Sequence, residues 1–128
     1  MLALRGVAFT GVAVVGFSAF GGHSARAQDE GGGKRVFQAN CSICHSVQPD
    51  RNLTGPSLFG VVNRHSGQVP GFHYSEANRH SGLTWTVGTL DRYLTAPRQL
   101  VPGTLMTFPG LKDPKQRADV IAYLATLQ

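Results

Sequence analysis

Only two cysteines, Cys41 and Cys44, occur in these 128 residues. That is too few for a disulfide framework, and structural zinc, which wants four ligands, finds no second Cys pair to complete its site. Runs of Lys and Arg are missing, as is any interleaving of basic and aromatic residues that would track a phosphate backbone, which argues against nucleic acid as a partner. No segment reaches the ~20 apolar residues of a bilayer-spanning helix. No stretch alternates apolar and polar residues as a strand would, so the βαβ setting of a redox-active dithiol is absent as well. There is no internal repeat. Gly and Pro, by contrast, are plentiful at 16 and 7 residues, and a short chain so rich in both builds only a thin apolar core.

The N-terminal stretch reads as a separate element. Arg5 is its single early charge, an apolar run extends from Val7 to Phe20, and Ala25 and Ala27 supply the small residues of an A-x-A cleavage site. Residues 1–27 are therefore expected to be a cleaved signal peptide. Gln28 would then be the first mature residue and 28–128 a single domain exported to the bacterial periplasm. An uncleaved N-terminal anchor is the lesser alternative. Losing the two positive charges of Arg5 and Arg26 takes the formal charge from +5 to +3, which is only mildly basic.

The organising stretch is Cys41-Ser42-Ile43-Cys44-His45. Two thiols three positions apart, followed at once by an imidazole, form the attachment signature of a c-type haem. Each thiol adds across one vinyl group of the same porphyrin, and the next residue stands over the iron as an axial ligand. A plain disulfide or a lone zinc half-site would explain the thiols but not His45. A covalently held macrocycle also supplies the apolar volume that the chain lacks, so folding and cofactor insertion are expected to be coupled.

Around the motif, short helices and long loops are predicted. A first helix is expected over about Gly33–Asn40, with Val36, Phe37 and Cys41 on one face. Residues 46–72 carry Pro49, Gly55-Pro56, Gly60, Gly67 and Pro70-Gly71 and read as loop and turns. One helical turn capped by Ser75 covers 74–78. A longer helix runs from its N-cap Thr86 to Thr95, buries Leu90, Tyr93 and Leu94, and is stopped by Pro97. Val101–Met106 is an extended strap without period. The last helix opens at Asp113-Pro114, where Gln116 can close a capping box, and Val120, Ile121, Leu124 and Leu127 form its apolar stripe.

The sixth iron position decides the chemistry, because an open site permits ligand binding and a filled one restricts the iron to electron transfer. Candidates beyond residue 27 are Met106, His65, His73 and His80. The histidines sit in polar loop sequence and read as surface residues. Met106 is the one methionine left after the leader, in a strap with no helix or strand to pack within. A thioether there favours ferrous iron and raises the potential relative to two histidines, so Met106 is the favoured ligand.

With these features together, residues 31–128 resemble the small soluble class I cytochromes c of the mitochondrial and bacterial-shuttle type. The resemblance rests on Cys41-Ser42-Ile43-Cys44-His45, Thr54-Gly55-Pro56, Gly71-Phe72-His73-Tyr74-Ser75 with Ala77-Asn78, Trp85, Tyr93-Leu94 with Pro97, Val101-Pro102-Gly103-Thr104 with Met106, and Ala122-Tyr123-Leu124. It implies an all-α cytochrome c fold of about 3–5 short helices wrapped around one covalent haem c, held by Cys41 and Cys44. His45 and Met106 would be the axial ligands, and the Pro56 carbonyl would take the hydrogen bond of His45. Arg64, Tyr74, Asn78 and Trp85, helped by Ser75 and Thr104, would reach the propionates, while Tyr93 would sit near the Met106 sulfur. Gly33 and Phe37 would pack against Val120 and Tyr123.

The implied function is a monomeric one-electron carrier. Its donor would be a quinol-oxidising complex or a dehydrogenase, and its acceptor an oxidase or reductase. The chain departs from the family's lysine ring: Asn40, Gln99 and Leu105 are uncharged where only Arg98 keeps its charge, and Lys112 and Lys115 are the available replacements. Two other readings stay open at this point. One is a haem enzyme or sensor with a displaceable distal ligand, and the other an electron-input subunit of a larger oxidoreductase.

Overall fold

The computed structural model describes residues 29–128, so the expected leader, its cleavage junction and Gln28 lie outside the described residues. Five helices follow in order: α1 Glu30–Asn40, α2 Glu76–Arg79, α3 Val87–Thr95, α4 Pro97–Leu100 and α5 Pro114–Ala125. Long connections separate them, and no strand forms among the described residues. A single bridge joins His65 to Thr84. Around it the loop amides find carbonyl partners, Asn63 on Trp85 at 3.0 Å, Trp85 on Arg64 at 2.9 Å and Ser66 on Leu83 at 2.8 Å. The predicted all-α class is the observed one.

α1 begins three residues earlier than its sequence predicts. Gly31, Gly32 and Gly33 are poor helix formers, each costing about 1 kcal/mol relative to Ala. They are nevertheless helical, and α5 crosses directly over the last of them. A Cβ on Gly33 would lie 2.0 Å from the Asp119 carbonyl oxygen and 2.7 Å from the Tyr123 Cβ. The start is also tied down, since the Asp29 amide donates to Asp119 Oδ1 at 3.2 Å and the Gly33 amide to the Asp29 carbonyl at 2.7 Å. Gly33 thus meets the α5 backbone at Asp119 rather than at Val120, which instead turns inward and is 1% exposed. The Phe37 and Tyr123 rings meet at 5.9 Å between centroids. Among the described residues this crossing is the largest helix–helix contact.

The other helices start where their capping residues stand. Ser75 accepts from the Asn78 amide, and Thr86 accepts from that of Thr89. Asp113 accepts from Lys115, one position short of a capping box, and Gln116 is left exposed. Pro97 does end α3, but it also opens α4 as its first residue. A proline lacks only the amide that a first helical turn does not use. The apolar core joins Phe37, Val61, Trp85, Leu90, Tyr93, Leu94, Val101, Leu111, Val120, Ile121 and Leu124. Among the described residues no helix is long and apolar enough to cross a membrane.

Replacing Gly33 with Ala must push α5 away, and overpacking of this kind costs about 3 kcal/mol. Urea unfolding of the variant should show that loss. A change under about 1 kcal/mol, the range of an ordinary surface substitution, would mean the crossing has slack.

Candidate cofactor site

α1 delivers the motif. Its last turn closes on Cys41, whose amide donates to Phe37 at 2.8 Å, and the chain then folds back on itself, with the Cys44 and His45 amides both donating to the Cys41 carbonyl at 3.0 and 2.9 Å. This tight turn puts both thiols and the His45 ring on the wall of one cavity of about 480 Å³. The thiols are free, and burial, helped by the neighbouring Cys44, pushes the Cys41 thiol up to about 11.

His45 is held in one orientation. Its Nδ1 lies 2.8 Å from the Pro56 carbonyl, which can only accept, so Nδ1 carries the proton and Nε2 keeps its lone pair. Burial holds the ring's proton affinity below that of a free imidazole, and the Pro56 bond partly opposes this. A neutral ring with one bare nitrogen is the metal-ligating form. Gly55 makes room for it, since a Cβ there would stand 2.3 Å from His45 Cε1. The sequence shows Gly55 as a turn signal and within Thr54-Gly55-Pro56, without showing this contact.

The strap supplies another part of the wall. The Thr104 amide donates to Val101 at 3.0 Å, and the Met106 amide donates to Thr104 Oγ1 at 3.3 Å. That same oxygen meets the Tyr93 hydroxyl at 3.2 Å, so α3 fixes the strap just before Met106. Tyr93 is in turn packed on Trp85 with ring centroids 4.7 Å apart.

Arg64 differs from every other cation described. Its Nη1 and Nη2 donate to the Phe59 and Ser57 carbonyls at 2.8 and 3.0 Å. Its Nε is buried without a partner, the one side-chain polar atom in that condition among the described residues. No carboxylate of the described residues pairs with it. Nearby, Tyr74 accepts from the Val69 amide at 3.3 Å, and Asn78 Oδ1 accepts from the Ser75 hydroxyl at 2.8 Å. A half-buried guanidinium with a spare donor and no acid fits a bound group that brings its own carboxylate.

The residues picked out from the sequence, Cys41, Cys44, His45, Pro56, Arg64, Tyr74, Ser75, Asn78, Trp85, Tyr93, Thr104 and Met106, all line this one cavity. Leu58, Val61, Leu90, Leu94, Val120 and Leu124 complete an apolar wall. Phe72, from the Gly71–Ser75 stretch, also lines it, as do Thr107, Phe108 and Pro109, which follow no period or motif in the sequence. His65 is exposed and bonded to Thr84, and His80 is exposed and paired with Glu76. His73 is exposed but stands on the cavity wall. At the rim two large apolar side chains face solvent, Ile43 at 86% and Leu105 at 73% exposure. A cavity several times larger than a packing defect, walled by apolar groups and bordered by two thiols and a bare imidazole nitrogen, fits a haem.

Comparison with known proteins agrees. The family model described as Cytochrome c matches residues 32–128. Cytochrome c2 of Rhodopila globiformis is 53% identical over 96 residues, covering 75% of this chain and 91% of that protein. Cytochrome c2 of Rhodoblastus acidophilus is 50% identical over 100 residues, covering 77% and 92%. Among solved structures, cytochrome cH from Methylobacterium extorquens superposes with a TM-score of 0.72 at 42% identity, covering 77% of this chain and 98% of that one. The chain therefore belongs to the cytochrome c family, whose members carry a covalent haem c and pass single electrons, and the thiols that take the haem here are Cys41 and Cys44.

Proposed function

We propose that this protein is a monomeric one-electron shuttle of the bacterial periplasm, with His45 and Met106 as the axial ligands of its haem. The observation that carries the reading is a lone-pair nitrogen and a thioether on the wall of one apolar cavity, each fixed by the backbone around it. When bound, the haem supplies a ferric/ferrous couple. The protein's part is to hold that couple with little rearrangement. Cys41 and Cys44 fasten the porphyrin edge, Pro56 keeps the His45 tautomer, and Thr104 fixes the strap behind Met106. Arg64 offers its spare Nε to a propionate, with Tyr74, Ser75, Asn78 and Trp85 beside it. The apolar wall would keep water from the bound group and so favour the less charged, reduced state of its couple.

A carrier is favoured over an enzyme or sensor because the Met106 strap is bonded at its own amide and pinned through Thr104 to Tyr93. Electrons would arrive from a quinol-oxidising complex or a periplasmic dehydrogenase and leave to an oxidase or reductase. Docking needs only a small, rapidly released patch at the cavity rim. Lys112 and Lys115 do little to rebuild the missing lysine ring there. The Lys112 amine donates to the Thr95 carbonyl at 3.1 Å, and that of Lys115 pairs with Asp119 at 2.5 Å. With Ile43 and Leu105 exposed and Asn40 uncharged, the rim is more apolar than charged.

Three outcomes test this. Met106→Ala should abolish the low-spin six-coordinate ferric spectrum, lower the reduction potential, and cost about 2–5 kcal/mol in stability. The unmodified ferric protein should ignore modest cyanide, and a retained low-spin spectrum in the variant removes Met106 from the iron. Electron transfer to the natural partner should slow by less than about tenfold with added salt, where charge-steered pairs lose 10–10³. Stopped-flow rates against ionic strength read this directly, and a steep decline contradicts an apolar docking patch.

A further inference from the structure

The strap that bears Met106 runs on through Lys112 to the start of α5, and its far end is fastened by a side chain that has no place in the cavity. Arg117, on α5 and 12% exposed, sends Nε to Asp91 Oδ1 on α3 at 2.7 Å. Its Nη1 donates to the Leu111 and Lys112 carbonyls at 2.9 and 3.1 Å. One guanidinium thus joins three parts of the fold. The same stretch is drawn onto the end of α3, where carbonyls would otherwise lack partners. The Leu111 amide donates to Leu94 at 2.7 Å and the Lys112 amine to Thr95 at 3.1 Å. Gly110, at φ +104, passes so near that a Cβ would stand 2.3 Å from the Thr95 oxygen.

Met106 therefore lies between two anchors, Thr104 before it and Leu111 after it. The first is a pair of hydroxyls. The second depends on a nearly buried cation whose planar fork reaches a carboxylate and two carbonyls at once, which a lysine amine on a flexible stem does not reproduce. An exposed ion pair alone would contribute little. Arg117 is different because removing it leaves strap carbonyls without donors and Asp91 without its partner.

We infer that Arg117, oriented by Asp91, is a positioning residue for Met106: it fixes the far root of the strap and so sets how readily the Met106 sulfur leaves the haem iron. This rests on the proposed His45/Met106 ligation. Exogenous imidazole reports the opening, since it takes the iron only when the strap lifts. The iron–sulfur bond then breaks and an iron–nitrogen bond forms, with no change of oxidation state.

The test is an imidazole titration of the ferric holoprotein, followed by loss of the long-wavelength sulfur-to-iron charge-transfer band, with urea unfolding by circular dichroism on the same samples. Arg117→Gln should bind imidazole about tenfold more tightly than the unmodified protein, the size of a lost charge-assisted bond. Arg117→Lys should fall between the two. A lower urea midpoint with unchanged imidazole affinity would make Arg117 a stability residue only and overturn the inference, as would no change in either. Asp91→Asn, at a half-exposed position, keeps the question answerable if Arg117→Gln does not fold. It should tighten imidazole binding by about twofold or more, and an unchanged affinity there also overturns the inference. Met106→Ala separates the two levels. If it keeps the band and the unmodified protein's imidazole affinity, the ligation reading has failed. If it loses the band while Arg117→Gln behaves as the unmodified protein, only the positioning inference has failed.

Discussion

The structure depends on a core that does not close on itself. Leu58, Val61, Leu90, Leu94, Val120 and Leu124 belong to or pack on the core and also line a shared space of about 480 Å³. Protein interiors are packed like organic crystals, and an apolar space of this size forfeits contacts along its whole lining. A rigid, flat, apolar group held covalently suits that lining in a chain with 16 glycines and 7 prolines. The long loops, which would be a liability in an ordinary small domain, have the group to pack upon.

Around that space the backbone holds the His45 ring and the strap before Met106 in place. The crossing of α1 and α5, close enough that Gly33 admits no side chain, sets the base from which the Cys41–His45 turn springs. Pro56 and Gly55 then leave the His45 ring one tautomer and one orientation. The strap is held by Tyr93 through Thr104 on one side and by Arg117 on the other. A carrier gains from such rigidity, because ligands that stay in place on gain or loss of an electron add little to the barrier for transfer. The buried charge of Arg64 belongs to the same design: its unsatisfied Nε is a cost in the polypeptide alone and an asset beside a carboxylate.

What could be read in the sequence was local chemistry. Ser75, Thr86 and Asp113 each cap a helix because the capping bond spans only two or three residues and needs no distant partner. The Cys-x-x-Cys-His run was legible for the same reason. Where a distant segment decides, the sequence was silent or misleading. The helix expected from Gly33 begins at Glu30, and Gly33 must be glycine because the distant Asp119 carbonyl leaves no room for a Cβ. Pro97 read as a stop and proved also a start. Gly55 could not be known as the floor beneath an imidazole, nor Phe108 and Pro109 as wall, since neither role leaves a period or a motif. Lys112 and Lys115 looked like free charges until Thr95 and Asp119 were seen to hold them.

The central claim concerns the atoms on the iron, and X-ray absorption at the iron edge of the purified ferric protein reads them without any substitution. The account predicts a single sulfur neighbour with nitrogens in every remaining position. A shell of nitrogen and oxygen alone would contradict it.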